Sequence, residues 1–351
     1  YIYVRSGSTW TLQQKIQAAD KQTFQFFGDE VSINSDGTYA IIGAKYYGGA
    51  AYIFTRSGST WTQQAKLVAS DLDTNNHQFG ISVSINSDGT YAIIGDFYND
   101  TGGTNSGAAY IFTRSGSTWT EQQKIQSSDI QVGDEFGISV SINSDATYAI
   151  VGSYKEDGGP GDPTSDAGAA YIFTRSGSTW TQQAKLVAPS LTVQAYFGNK
   201  VSINPNATYA MIGSMTENNT GSVYIFTRSG STWTQQAKLV ASDPQATDYF
   251  GDSLSMSSDA SYAIVGAQFE DGGAGDPLGN AGAAYLFERS GSTWTQVQRL
   301  TSSDIQAGDE FSWSVSISGD GTWVFVGAHA EDGGAGDPHA DTGAVYIYEA
   351  G

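Results

Sequence analysis

Tyr52 to Leu67 reads YIFTRSGSTWTQQAKL, and near-copies of this string begin at Tyr110, Tyr171, Tyr224 and Tyr285. A shortened copy, YIYVRSGSTW, opens the chain at Tyr1. Two apolar runs flanking Arg-Ser-Gly-Ser make a β-hairpin, because the Gly supplies the positive φ that a tight turn demands. Working outward, a Phe-Gly pair recurs at Phe27, Phe79, Phe136, Phe197 and Phe250, with Phe311-Ser312 as a sixth copy. From each Phe to the Gly that closes the AIIG-like strand (Gly43, Gly95, Gly152, Gly213, Gly266, Gly327) the spacing is always 16. From strand Tyr to hairpin Trp it is always 9. Most of the variation falls between the closing Gly and the next strand Tyr, where the spacings run 9, 15, 19, 11, 19 and 19.

Each unit therefore carries two hairpins. ISVSIN (Ile81 to Asn86) alternates apolar and polar residues, and TYAIIG (Thr90 to Gly95) follows the turn Ser87-Asp88-Gly89. The second hairpin is the repeated string itself. Four antiparallel strands, six times over, predict an all-β fold: a β-propeller of four-stranded antiparallel blades, with six blades and seven as the alternative. Residues 1–351 then form one propeller domain of six repeats. Thr9 to Ile16 has the sequence of a fourth strand and is expected to complete the last blade, so that the ring is closed by the N-terminal strand. Tyr1 to Val4 and Val345 to Tyr348 then compete for one place, which keeps the seven-bladed alternative open.

Composition bounds the partners. The chain has 351 residues, no Cys, 39% hydrophobic residues and a formal charge of -20. It buries a sizeable core without disulfides. The negative charge argues against nucleic acid and anionic membranes, both of which reward clustered Lys and Arg. No apolar run approaches the ~20 residues of a membrane helix, so no membrane insertion is expected. The start at Tyr1, without Met or leader, leads us to expect an excised or processed piece that is part of a larger chain or assembly.

The Phe-Gly, closing Gly-Ala and Gly-Ala-Val-Tyr-Ile-Tyr elements together resemble the FG-GAP repeat of the integrin α-subunit head and its relatives. The resemblance implies an extracellular, cell-surface or virion-surface recognition module, often with calcium. The family's calcium cage, Asp-x-Asp/Asn-x-Asp-Gly-x-x-Asp, is not reproduced here. Ser32 replaces the first acid, the turn is one residue shorter, and Ala40 falls where the last carboxylate belongs. Asp36, Asp88, Asp145, Asp259 and Asp320 are read instead as turn formers.

TRSGSTW also resembles the Asp-box of sialidases. That family's activity implies an arginine triad for the substrate carboxylate. Of the seven Arg, however, Arg5, Arg56, Arg114, Arg175, Arg228 and Arg289 belong to the repeated turn, leaving only Arg299. The box is a structural turn, and no enzyme is expected. No thiol nucleophile or Gly-x-Ser-x-Gly elbow is present either.

In a down-up-down-up blade the two tight turns share one rim, and the variable connections share the other. Most of the 36 acidic residues fall on the variable rim. The longest loops place Glu156, Asp157, Asp162 and Asp166, then Glu270, Asp271 and Asp276, then Glu331, Asp332, Asp337 and Asp341 there. These are the candidate ligand-binding residues. Carboxylates spaced by Gly suit a hard cation, so calcium is the candidate cofactor at Asp157, Asp162, Asp166, Asp332, Asp337 and Asp341. The alternative is that they are solvated connectors. His77, His329 and His339 share the rim without the spacing of a zinc site. The expected role is non-enzymatic adhesion or receptor recognition of a protein or glycan, with a propeller lectin or a structural spacer as alternatives.

Overall fold

The computed structural model describes residues 1–20, 25–46, 48–71, 77–158, 161, 163–272, 278–331 and 342–350. Among these residues the regular structure is all strand apart from one 3-10 turn, Glu217–Asn219. An N-terminal hairpin, β1 (Ile2–Ser6) and β2 (Thr9–Gln14), precedes the blades. The first blade is β3 (Val31–Ile33), β4 (Tyr39–Ala44), β5 (Ala50–Ser57) and β6 (Thr60–Leu67). The second is β7 (Ser82–Ile85), β8 (Tyr91–Asp96), β9 (Ala108–Ser115) and β10 (Thr118–Ile125). The third is β11 (Phe136–Ile142), β12 (Tyr148–Ser153), β13 (Ala169–Ser176) and β14 (Thr179–Leu186). The fourth is β15 (Phe197–Ile203), β16 (Tyr209–Ser214), β17 (Ser222–Ser229) and β18 (Thr232–Leu239). The fifth is β19 (Ser253–Met256), β20 (Tyr262–Ala267), β21 (Ala283–Ser290) and β22 (Thr293–Leu300). The last holds β23 (Phe311–Ile317), β24 (Trp323–Ala328) and β25 (Ala344–Glu349).

Strands within each sheet follow chain order. The fold is a six-bladed β-propeller, as the repeats predict. By contact density the chain divides into two compact units, Tyr1–Ala149 with Thr174–Thr181, and Ile150–Phe173 with Gln182–Gly351.

Within the first unit, Phe79 packs edge-on to Tyr110 and Phe112, with ring centroids 5.4 and 6.1 Å apart. Its cluster also takes in Ile41, Ala51 and Ile53 of the first blade and Val83, Ile85 and Ile94 of the second. The second unit repeats the arrangement with Phe250 against Tyr285 and Phe287. Period-2 alternation thus loads both faces of each blade, and the apolar faces are buried between neighbouring blades.

The Phe-Gly pair and the closing Gly are explained by backbone contact. The space that a methyl group on Gly95 would fill lies 1.9 Å from the Gly137 carbonyl oxygen, and the same holds for Gly152 against Gly198. Gly107 and Phe136 form a parallel bridge alongside, as do Gly168 and Phe197. Neighbouring blades touch there backbone to backbone, and only Gly admits that approach.

Closure departs from the expectation. β2 is hydrogen-bonded to β1, and among the described residues the last sheet, β23-β24-β25, has three strands. The reason is local. β1 is itself a third-strand sequence two residues away through a Gly7 turn at φ 62°, so β2 finds the same ladder without a long loop to close. The extra strand is thereby placed: it belongs to the N-terminal hairpin.

Candidate functional site

On the uniform rim the turn acids are turn formers. Asp36 Oδ1 accepts the Thr38 amide at 2.9 Å and its hydroxyl at 2.5 Å, and Asp88, Asp145, Asp259 and Asp320 repeat this at Thr90, Thr147, Ser261 and Thr322. Hydrogen bonds from Ser318 and Thr322 hold Asp320 down at about 2. The Arg of each box bridges the two turns. Arg56 donates from Nε to the Gly37 carbonyl at 2.6 Å and from Nη1 to the Gly58 carbonyl at 3.0 Å. Arg114, Arg175, Arg228 and Arg289 do the same in their blades. Arg299 is bound to Glu270 at 2.6 Å and Asp243 at 3.2 Å. Six of the seven arginines are thus held by turn carbonyls or by acidic partners of their own blade.

On the variable rim the acidic loops are internally engaged. Glu156 is buried, paired with Lys185, and accepts the Gly158 amide at 2.8 Å. Glu270 is buried against Arg299 and accepts the Gly272 amide at 3.0 Å. Asp157 and Asp271 fold their own loops, accepting the amides of Asp166 at 3.0 Å and Asn280 at 2.8 Å. Asp166 sits at φ 51° and its carbonyl accepts the Tyr196 amide at 3.2 Å. Glu331 is buried, and its carbonyl accepts the Gly343 amide at 2.9 Å. Asp162, Asp276, Asp332, Asp337 and Asp341 lie outside the described residues, as does His339.

A cation from the fourth strand answers these acids blade by blade. Lys66 meets Asp20 at 2.5 Å, Lys124 meets Asp71 at 2.7 Å, and Lys238 meets Glu217 at 3.0 Å. Tyr52 and Tyr110 donate to the same Asp20 and Asp71 at 2.9 and 2.6 Å. Burial alone would raise Asp71, but Lys124 and Tyr110 outweigh it and hold the carboxyl at about 2. Burial and the Asp71 carboxylate push the Tyr110 hydroxyl up. Among the described residues no group of three or more acidic or His side chains converges as a metal site. His77 is spent on buried Asp96 at 2.6 Å.

The same rim also carries aromatic pairs that sequence reasoning missed. In the first unit Phe26 and Tyr46 are 4.9 Å apart, both exposed, and Phe97 lies 4.1 Å from Tyr98. In the second unit Tyr154 pairs with Tyr196 at 5.4 Å, Tyr249 with Phe269 at 5.2 Å, and Trp313 stacks on His329 at 4.4 Å and 23°. Trp313 is 46% exposed, and His329 Nδ1 lies 3.4 Å from Glu310. Phe26, Glu135, Tyr196, Tyr249 and Glu310, each one residue before the recurrent Phe, all take positive φ. That conformation turns the side chain out of the ladder. A partial signal exists in the sequence: this position changes between repeats while the Phe that follows it does not.

These features define a class: a β-propeller with a fixed, Arg-bridged rim and a variable rim of aromatic pairs and loops. The FG-GAP repeat matches the chain six times, at residues 10–54, 61–112, 119–173, 180–226, 233–287 and 294–348, and the chain belongs to the FG-GAP repeat family. Each match starts at a fourth-strand Trp and ends on the third strand of the next blade, except that the first starts in the N-terminal hairpin. No curated protein matches the chain. Among the described residues no helix is long and apolar enough to cross a membrane.

Proposed function

We propose that this protein is a non-enzymatic recognition module of an extracellular, cell or virion surface, gripping a protein or glycan partner with its variable rim. One observation carries the reading: a scaffold whose Phe-to-Gly and Tyr-to-Trp spacings are constant carries connections of 9, 11, 15 or 19 residues on this rim, with side chains that vary between repeats. Loops of varying length on a rigid frame are where binding residues concentrate. Membership of the FG-GAP family supports the surface setting. The aromatic pairs supply large, stiff contact area, and loop acids beside them set charge preference. The described loop acids act as the frame of the site, so a bound cation is not required for this reading.

A second reading, a carbohydrate-binding propeller, is favoured by Trp313. Its ring lies flat on His329 with Glu310 adjacent, the composition of a sugar-stacking platform. Binding of the intact protein to a glycan array and to cell-surface protein extracts separates the two, run with and without chelator. Phe26→Ser with Tyr46→Ser, and separately Trp313→Ala, should each weaken capture by at least ~10-fold, the loss of one central aromatic contact. Arg228→Gln on the opposite rim should leave capture unchanged. Equal loss from both rims would refute the assignment.

A further inference from the structure

We infer that the fifth blade carries, on the variable rim, a site for a primary ammonium group, built by Asp252, Gln268 and the paired rings of Tyr249 and Phe269. The first blade supplies the template from within the same chain. There Lys45 meets Asp29 at 2.8 Å and lies over the Tyr46 ring at 5.7 Å, while Tyr46 pairs with Phe26 at 4.9 Å and 58°. An ammonium is thus held between a carboxylate and an aromatic ring.

The fifth blade repeats this backbone. Asp29 and Asp252 each stand two residues after the recurrent Phe, and only these two of the six blades put an acid there. The Asp29 amide donates to the Phe26 carbonyl at 3.3 Å, and the Asp252 amide to the Tyr249 carbonyl at 3.1 Å. Phe26 and Tyr249 take φ 52° and 59°, and Gly28 and Gly251 take 100° and 98°. Tyr249 and Phe269 stand 5.2 Å apart at 58°, the angle of Phe26 on Tyr46.

The cation is what differs. Where the first blade has Lys45, two residues after the closing Gly, the fifth has Gln268. Gln268 is 7% exposed, and its Oε1 is buried with no hydrogen-bond partner among the described residues. An unmet buried acceptor is costly, and an N–H donor removes that cost. Burial drives the Asp252 carboxyl up, and the Lys200 charge and the Asn199 side chain offset only part of the rise. Nearby, Asp248 is repelled by Glu270, Asp271 and Asp243, and Arg299 is spent on Glu270 and Asp243. Two oxygen acceptors, an aromatic pair and a negative surrounding field specify a cation that donates hydrogen bonds. A primary ammonium brings three donors on a narrow stem. A guanidinium prefers a bidentate carboxylate, and Asp252 is already bonded to Asn199. The inference rests on the reading of this rim as the binding face for the source of the ammonium, a lysine side chain of the partner or a free alkyl amine.

Amide NMR spectra of the intact chain, titrated with n-butylammonium chloride to about 50 mM at constant ionic strength, test the site. Shifts should saturate and centre on the Gln268 side-chain amide and the Asp252 backbone amide, and n-butanol should give none. Asp252→Asn should weaken butylammonium binding by ~10-fold or more, the loss of one charge-assisted contact. Gln268→Lys rebuilds the first-blade arrangement from within, so it should abolish binding and raise the melting temperature by about 2 °C. Binding of Nα-acetyl-lysine amide, lost on Nε-acetylation, marks a lysine side chain as the source, and its exclusion while butylammonium binds marks a free amine. Absence of saturable shifts, equal binding of n-butanol, binding undiminished in Gln268→Lys, or binding that appears only when Lys200→Gln removes the neighbouring charge would each overturn the inference. Partner capture is scored separately. Capture without butylammonium binding refutes the ammonium site alone, and butylammonium binding without any capture refutes the rim as a macromolecular interface alone.

Discussion

Asp248 shows how one side chain sets a pH dependence. It is buried, and its carboxylate accepts the Gln245 amide at 2.7 Å. Burial pushes its pKa up to about 6, the Gln245 amide opposes the rise, and Glu270, Asp271 and Asp243 add repulsion. The folded state therefore holds this proton more tightly than the unfolded chain. Above about pH 6 the group is ionised in both states and destabilises the fold in full. Below the ordinary carboxylate value of 3.8 it is neutral in both and the penalty is gone. Asp248→Asn should accordingly raise the melting temperature at about pH 7.5, and the gain should shrink as pH falls from about 6 to about 4. A gain independent of pH would assign it to packing instead. Legibility at this scale follows distance along the chain. Asp36 is readable as a turn former because its partner is Thr38, two residues on. Glu156 is not readable as an internal ion pair because Lys185 reaches it only after β13 and β14 are folded side by side.

At the scale of elements, the repeated Gly residues divide into two kinds that look alike in sequence. Gly116, at φ 62° in the hairpin turn, has open space where a methyl group would go. Gly95 has ordinary strand conformation, yet a methyl there would lie 1.9 Å from a neighbouring backbone oxygen. Gly116→Ala should cost about 1 kcal/mol, the strain of a left-handed L-residue. Gly95→Ala should cost on the order of 3 kcal/mol or more, because backbone cannot rotate away as a side chain does. Urea denaturation of both variants measures the difference, and equal costs would mean that the blades yield at the Phe-Gly contact. Strands and turns are legible because period-2 runs and Asp-Gly punctuation are local. The partner of β2 is not, because its own sequence fits β1 and β25 equally and only the nearer claims it.

For the whole molecule, charge is the dominant long-range term. With 36 acidic against 16 basic residues, self-repulsion weakens the compact state, and monovalent salt should raise the melting temperature between about 20 and about 300 mM. Calcium at matched ionic strength should add nothing further unless the loop acids Asp162, Asp332, Asp337 and Asp341 form a cage. An extra rise that Asp332→Asn with Asp337→Asn abolishes would establish such a site. Six repeats are legible because each carries its own Phe, Gly, Tyr and Trp, but the surplus third-strand sequence at Tyr1 to Val4 leaves a seventh blade open in the sequence, which only the pairing of β1 with β2 closes. The rim's aromatic pairs are not legible, because Tyr154 and Tyr196 lie in different repeats and meet only through loop docking. The five positive-φ residues beside the recurrent Phe have a consequence for how such a chain evolves. Holding each in the left-handed region costs ~1 kcal/mol or more, together roughly 5 kcal/mol, comparable to the lower end of a natural domain's entire stability margin. Selection for heat resistance alone would favour Gly at all five, and what opposes it at exposed Phe26 is the loss of the ring that pairs with Tyr46.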